Sequence, residues 1–123
     1  MSVKVDIIVI TYNSARYIEE CLNSIKATAA ELNPGIIVVD NASTDNTAEL
    51  IEIKFPGVLV VKSEENLGYA AAINLGISKS YAQALIISNP DVIYREGAIS
   101  KLLDTIQKND EVGVAGPQQF FRD

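Results

Sequence analysis

The chain has no histidine and no tryptophan, and only one cysteine and one methionine among its 123 residues. Without histidine, an ordinary Ser-His-Asp or Cys-His nucleophile is excluded, and with no CxxC pair there is no basis for a zinc site. The single cysteine, Cys21, cannot form an internal disulfide, which fits a reducing compartment and a cytoplasmic location. Long apolar runs are also missing. The segment 7-IIVI-10 follows Lys4 and Asp6 and is too short for a signal h-region or a membrane span, and no later run is long enough. Cations are scarce as well: 10 Lys plus Arg stand against 16 Asp plus Glu, a net charge of -6. No cation excess remains to neutralise a nucleic-acid backbone or an anionic lipid surface, so nucleic acid is not an expected partner. A phosphate-bearing small molecule is still allowed, because backbone N-H groups or a divalent ion can supply the positive charge. Familiar phosphate and acyl-transfer motifs are absent too: no GxGxxG follows the first apolar run, and there is no GxxxxGK[ST] and no GxSxG.

What is present is the material of one α/β domain, residues 1-123. The chain is 48% hydrophobic and 21% charged, and a globular domain of this size buries roughly two thirds of its unfolded surface. Short β-branched runs alternate with longer segments of helical period, the order expected of a parallel sheet covered by helices on both faces. The expected strands are 5-VDIIVIT-11, 36-IIVVD-40, 58-VLVVK-62, 84-ALIIS-88 and 112-VGVAG-116. Ile18, Cys21, Leu22 and Ile25 form one apolar helical stripe, and Ile99, Leu102, Leu103 and Ile106 repeat its spacing. A helix is expected to start near 43-STDNT-47 and carry Leu50 and Ile51, and another to run from about Gly68 to Tyr81 with Ile73 and Ile77 inward.

Right-handed crossovers place all strand C-termini on one edge of such a sheet, the edge where open α/β folds bind ligands. The segments that follow the first four strands are 11-TYNS-14, 40-DNASTDNT-47, 63-SEENLGYAAAIN-74 and 89-NPD-91. All are rich in Asn, Asp, Ser or Thr, and Asp40 and Asp91 stand at strand ends. Chemistry built from such groups uses carboxylates, hydroxyls and amides, and oxygen-only ligands select a hard ion, Mg²⁺ or Mn²⁺.

These four motifs, in this order across nearly the whole chain, resemble the nucleotide-binding part of the inverting family 2 glycosyltransferases, in particular their rhamnosyltransferase-like members. The resemblance implies a Rossmann-like GT-A fold, a nucleoside-diphosphate-sugar donor and a divalent cation. Tyr12 would pack on the base, with Thr11 and Asn13 beside it in the same loop. Asp40 would accept a hydrogen bond from the base imide or the ribose, favouring UDP- or dTDP-linked sugars. Gly68, in Asn66-Leu67-Gly68, would let the backbone approach the nucleoside. Asp91 would answer for the last acid of the family's DxD signature and bind the metal, with Asn89 as an auxiliary. That signature is reduced here to Asn89-Pro90-Asp91, so one carboxylate is on offer. The family's general base lies in a further half, and no candidate for it stands in this chain. The resemblance therefore implies the donor-binding N-terminal part of a longer transferase, inactive in isolation. Donor sugar and acceptor are open, as is any membrane association of the longer protein.

Other readings of the same residues remain open at this level. Ser43, Thr44 and Asp45 are good helix-capping residues. Asp40 can close an Asx turn, and Asn89-Pro90 is an ordinary turn initiator. A catalytically inactive nucleotide-binding module would share all of these features. A receiver-like signalling domain would share the fold, but its acidic pair, phospho-accepting Asp and Lys would fall at Thr11-Tyr12-Asn13, Ser63-Glu64-Glu65 and Pro117-Gln118-Gln119. Apolar Val114, Phe120 and Phe121, if left uncovered, lead to an expected homo-oligomer.

Overall fold

The computed structural model describes residues 3-121. Strands and helices alternate along it: β1 (Val5–Thr11), α1 (Ala15–Thr28), β2 (Gly35–Asp40), α2 (Thr47–Lys54), β3 (Leu59–Lys62), α3 (Tyr69–Ile77), β4 (Ala84–Ser88) and α4 (Ala98–Lys108). The strands form one parallel sheet in the order β3-β2-β1-β4. Central β1 is buried along all seven residues, as its run of Val and Ile requires of a strand covered on both faces.

Side-chain alternation along β1 divides the core. Ile7 and Val9 point into a cluster with Ile18, Cys21, Leu22 and Ile25 of α1, Ile51 of α2 and Ile99 of α4. Ile8 and Ile10 point the other way, with Ile37 and Val39 of β2, toward Ala72 and Ile73 of α3. Helices α1, α2 and α4 thus cover one face and α3 the other, and the apolar stripe read from the sequence of α1 is the buried one.

Two expectations fail. Helix α3 ends at Ile77 rather than near Tyr81, and Ile77 is 39% exposed; the residues buried against the sheet are Ala72 and Gly76. The cause is close approach. A Cβ on Gly76 would lie 2.6 Å from Ile8 Cγ2 and 3.2 Å from Val39 Cγ2, so the inward row is made of small residues.

The fifth strand is not formed either. Residues 112-116 join no ladder, and Val114 is 90% exposed. A cleft of about 340 Å³, lined by Ile86, Leu102, Ile106 and Val114 among others, lies between this segment and β4. The segment has strand-like composition but pairs with no strand, Val112 N donating instead to Asn109 O at 3.0 Å in a turn, and its glycines and Pro117 weaken extended structure further.

Substitution Gly76→Ala is expected to destabilise the domain by about 1–3 kcal/mol through overpacking, read as a lower urea midpoint at unchanged slope. At Gly57 an added Cβ meets nothing within 4 Å, and Gly57→Ala should shift stability by less than about 0.5 kcal/mol.

Candidate functional site

The strand C-termini line up along one edge. Thr11 pairs with Asp40 and Asp40 with Lys62, while Ser88 of β4 lies opposite Val9. Four polar loops continue from these ends, and the first two are bonded tightly to each other.

At the centre is Asp40, only 4% exposed. Thr11 Oγ1 donates to its Oδ1 at 2.9 Å, Ser43 Oγ donates to the same oxygen at 2.6 Å, and Ser43 N donates to Oδ2 at 3.2 Å. Bonds of this kind make a buried carboxylate tolerable. The turn closure onto Ser43 that the sequence allowed is therefore present. Thr11 is wholly buried, so its hydroxyl acts on anything beyond the loops through Asp40.

Ser43 passes the network on, accepting the N-H of Asn13 at 2.9 Å. Asn13 has φ 48°, a left-handed conformation that asparagine tolerates better than most residues. Its Oδ1 accepts Thr44 N at 2.8 Å, with Thr44 Oγ1 and Asp45 N each at 3.2 Å. Asp45 serves two helices: Oδ2 accepts Ala15 N at the start of α1, 3.3 Å away, and Oδ1 accepts Thr47 N at the start of α2, 3.0 Å away. Thr47 Oγ1 also donates to Asp45 and itself accepts Ser14 N at 2.9 Å. None of the three suggested capping residues is the N-cap of α2, which is Asn46; Asp45, one residue earlier, meets the first helical N-H, while Ser43 and Thr44 bind Asp40 and Asn13. Desolvation pushes the Asp45 carboxyl up, but its bonds from Thr47 and Ala15 outweigh that and hold it below the usual carboxylate range.

The third loop is tied to the second through Asn41, which the sequence reading passed over. Its Oδ1 accepts Leu67 N at 2.7 Å and its Nδ2 donates to Gly68 O at 3.2 Å. Asn66 Oδ1 accepts Gly68 N at 2.9 Å. Gly68 itself has φ 78°, a backbone state that favours glycine, and it opens α3 with half-exposed Tyr69 next to it.

The fourth loop rests on α1. The carbonyl of Asn89 accepts Ser88 Oγ at 3.0 Å and the Cys21 thiol at 3.8 Å. Ser24 Oγ accepts Tyr94 N at 2.9 Å and donates to Cys21 O at 2.7 Å, an anchor also missed from sequence. Asp91 is exposed. Burial, then the charge of nearby Asp91, pushes the Cys21 thiol up to about 12, so Cys21 is a neutral support under this loop and not a nucleophile.

Tyr12, Asn13, Asn66, Gly68, Asn89 and Asp91 are exposed along the edge, with Thr11 and Asp40 buried behind them. No cluster of three His, Cys, Asp or Glu side chains forms among the described residues. Of the two strand-end carboxylates at this edge, Asp40 is buried and Asp91 is exposed. An exposed carboxylate suits Mg²⁺-like ions held by one or two carboxylates and completed by substrate phosphates and water. A second concavity, about 330 Å³ and lined by Ile25, Pro34, Ile36 and Val58, lies at the opposite end of the sheet, away from these polar groups. No helix among the described residues is long and apolar enough to cross a membrane.

The Asp45 network predicts a pH signature. A carboxyl held low in the folded state contributes stability above its unfolded value, near 3.9, and loses that contribution as pH falls through the folded value. Asp45→Asn should melt below the unaltered protein at pH 6, with the gap closing as pH falls below about 4 in parallel thermal melts.

The family description "Glycosyl transferase family 2" matches residues 6–123. An N-acetylglucosaminyl-diphospho-decaprenol L-rhamnosyltransferase of Mycobacterium tuberculosis is 30% identical over 122 residues, covering 90% of this chain and 39% of the relative. Glycosyltransferase GlyG of Streptococcus pneumoniae is 33% identical over 119 residues, covering 94% of this chain and 39% of the relative. The chain thus spans about two fifths of the length of these curated relatives. Among solved structures, the mannosyltransferase PcManGT of Pyrobaculum calidifontis, in complex with GDP-Man and Mn²⁺, superposes with TM-score 0.78 at 25% identity, over 86% of this chain and 33% of that one. TarS 1-349 of S. aureus superposes with TM-score 0.76 at 24% identity, over 98% of this chain and 40% of that one. The Rossmann-like GT-A fold expected from the motifs is the fold these neighbours share.

Proposed function

The chain belongs to glycosyl transferase family 2, and from that premise we propose that residues 1-123 form the donor-binding part of an inverting, metal-assisted hexosyltransferase. The donor is a nucleoside-diphosphate sugar lying on the loops at the C-terminal edge of the sheet. The observation that carries this reading is the exposed carboxylate of Asp91 on the loop after β4, at the same edge as exposed Tyr12 and Gly68.

Each residue has a task in this account. The ring of Tyr12, 51% exposed, offers an apolar face to the base. Asp40 retains lone pairs for a base imide or ribose hydroxyl while Thr11 and Ser43 fix its orientation, and Asn13 holds the Tyr12 loop in place. Asn66 and Gly68 present backbone to the nucleoside. Asp91 supplies an oxygen ligand to Mg²⁺ or Mn²⁺, with Asn89 as auxiliary; Mn²⁺ accompanies GDP-Man in the Pyrobaculum relative. A bound divalent ion stabilises the negative charge that builds on a leaving diphosphate. No general base is assigned among the described residues, and the proposal for this chain is donor binding. The base is uracil or thymine, with a guanine nucleotide as the alternative that the relative raises. Exposed Val114, Phe120 and Phe121 promote self-association at high concentration.

Calorimetric titration of UDP, dTDP and GDP, with and without Mn²⁺, tests the proposal. One nucleotide should bind at least about tenfold more tightly with the metal, a difference of 1.4 kcal/mol or more, and Asp91→Ala should abolish that gain. Lack of binding by the folded protein, or an Asp91→Ala variant that keeps the full metal response, would overturn it.

A further inference from the structure

We propose that Asn41 is a positioning residue for the nucleoside: its side-chain amide fixes the Asn66-Leu67-Gly68 backbone as the surface on which the nucleoside lies, a role that rests on the donor-binding reading above. The amide is 3% exposed. Its residue is locked to the sheet, because Asn41 N donates to Thr11 O at 2.8 Å as an extension of the β1-β2 pairing. From that fixed base the side chain reaches 26 and 27 positions along the chain, accepting Leu67 N at 2.7 Å and donating to Gly68 O at 3.2 Å. One end accepts and the other donates, so the amide has a single workable orientation and the two peptide groups it meets are set relative to β2.

Both polar groups of Gly68 are held, its N-H by Asn66 Oδ1 and its carbonyl by Asn41 together with Ala72 N at 3.2 Å. The open side of Gly68 is left clear, since a Cβ there would meet nothing within 4 Å. Tyr69 and Leu67 flank it, both partly exposed. A buried amide costs desolvation unless both ends are paired, and packing alone is served equally well by an apolar side chain. What the amide adds is the placement of one exposed stretch of backbone beside the buried Asp40, the neighbouring residue in sequence.

Asn41→Asp is the diagnostic change. It keeps size and the acceptor for Leu67 N but sets a second acceptor against Gly68 O. Hydrogen exchange at the Leu67 and Gly68 amides would be followed by NMR, and UDP, dTDP and GDP titrated with and without Mn²⁺ into unaltered protein, Asn41→Asp and Asn41→Ala. Both variants should retain a cooperative melt and bind nucleotide about tenfold more weakly, the scale of one reversed hydrogen bond. Exchange at the Leu67 amide should speed up in Asn41→Ala, which removes its acceptor, and stay slow in Asn41→Asp. The ratio of affinities with and without metal should stay that of the unaltered protein, because the lost contact is to the nucleoside; Asp91→Ala should instead collapse that ratio. A folded Asn41→Asp variant that binds like the unaltered protein, or one that loses only the metal-dependent part, overturns the role. Unaltered protein that binds none of the three nucleotides overturns the donor-binding reading itself, and the role with it. If Asn41→Ala does not fold, the Asn41→Asp comparison decides alone.

Discussion

Burial of one carboxylate, Asp40 at the tip of β2, is the constraint from which the polar edge of the sheet is built. A charge removed from water must be met by donors, and here they come from two directions: Thr11 at the end of the neighbouring strand and Ser43 three residues on. Ser43 is then fixed in a position where it also accepts from Asn13, and Asn13 turns its own amide oxygen back to Thr44 and Asp45. The chain of bonds ends at the first turns of α1 and α2, both met by Asp45. Most polar residues of the first two loops are therefore committed to each other. The groups left facing outward are few, which is why Tyr12 and Asp91 carry so much of the functional reading.

The two sides of the edge differ in how they are held. On the β2-β3 side, loops are joined by several charge-assisted or backbone bonds, with Asn41 adding the third loop to the set. On the β4 side, the loop bearing Asp91 leans on α1 through Ser24 and the neutral Cys21 thiol, and the outer edge of β4 has no strand beside it among the described residues. On the donor-binding reading proposed above, nucleoside recognition, which depends on shape, would fall on the firmly held side. The metal and phosphates of that proposal, whose attraction is electrostatic and reaches further, would fall on the other.

Four strands were legible because β-branched runs bounded by polar loops have few alternatives, and α1 because its stripe of Ile18, Cys21, Leu22 and Ile25 repeats cleanly. Residues 112-116 carry the same composition, yet a strand exists only with a partner, and composition does not report one. The inward face of α3 was read only in part: Ile73 packs against the core as expected and Ile77 does not, and Ala72 and Gly76 give little apolar signal, although their smallness is what brings the helix onto Ile8 and Val39. Motif resemblance led to Tyr12, Gly68 and Asp91, which stand exposed at the edge, and to Asp40, whose inward bonds it did not foresee. Asn41 and Ser24 escaped notice because their partners lie 26 to 70 residues away, and a paired amide or hydroxyl in a loop reads in sequence like any solvated one.

The central claim is that donor and metal meet on these strand-end loops. Amide resonances recorded while Mn²⁺ is added, in the presence and absence of the nucleotide that binds, test it most directly because the ion broadens only nearby signals. The account predicts broadening centred on residues 89-93 and extending to Asn66, Gly68 and Tyr12, much stronger when nucleotide is present. Broadening centred at the opposite end of the sheet, around Lys4, Gly35 and Gly57, or spread over the acidic surface without regard to nucleotide, would contradict it.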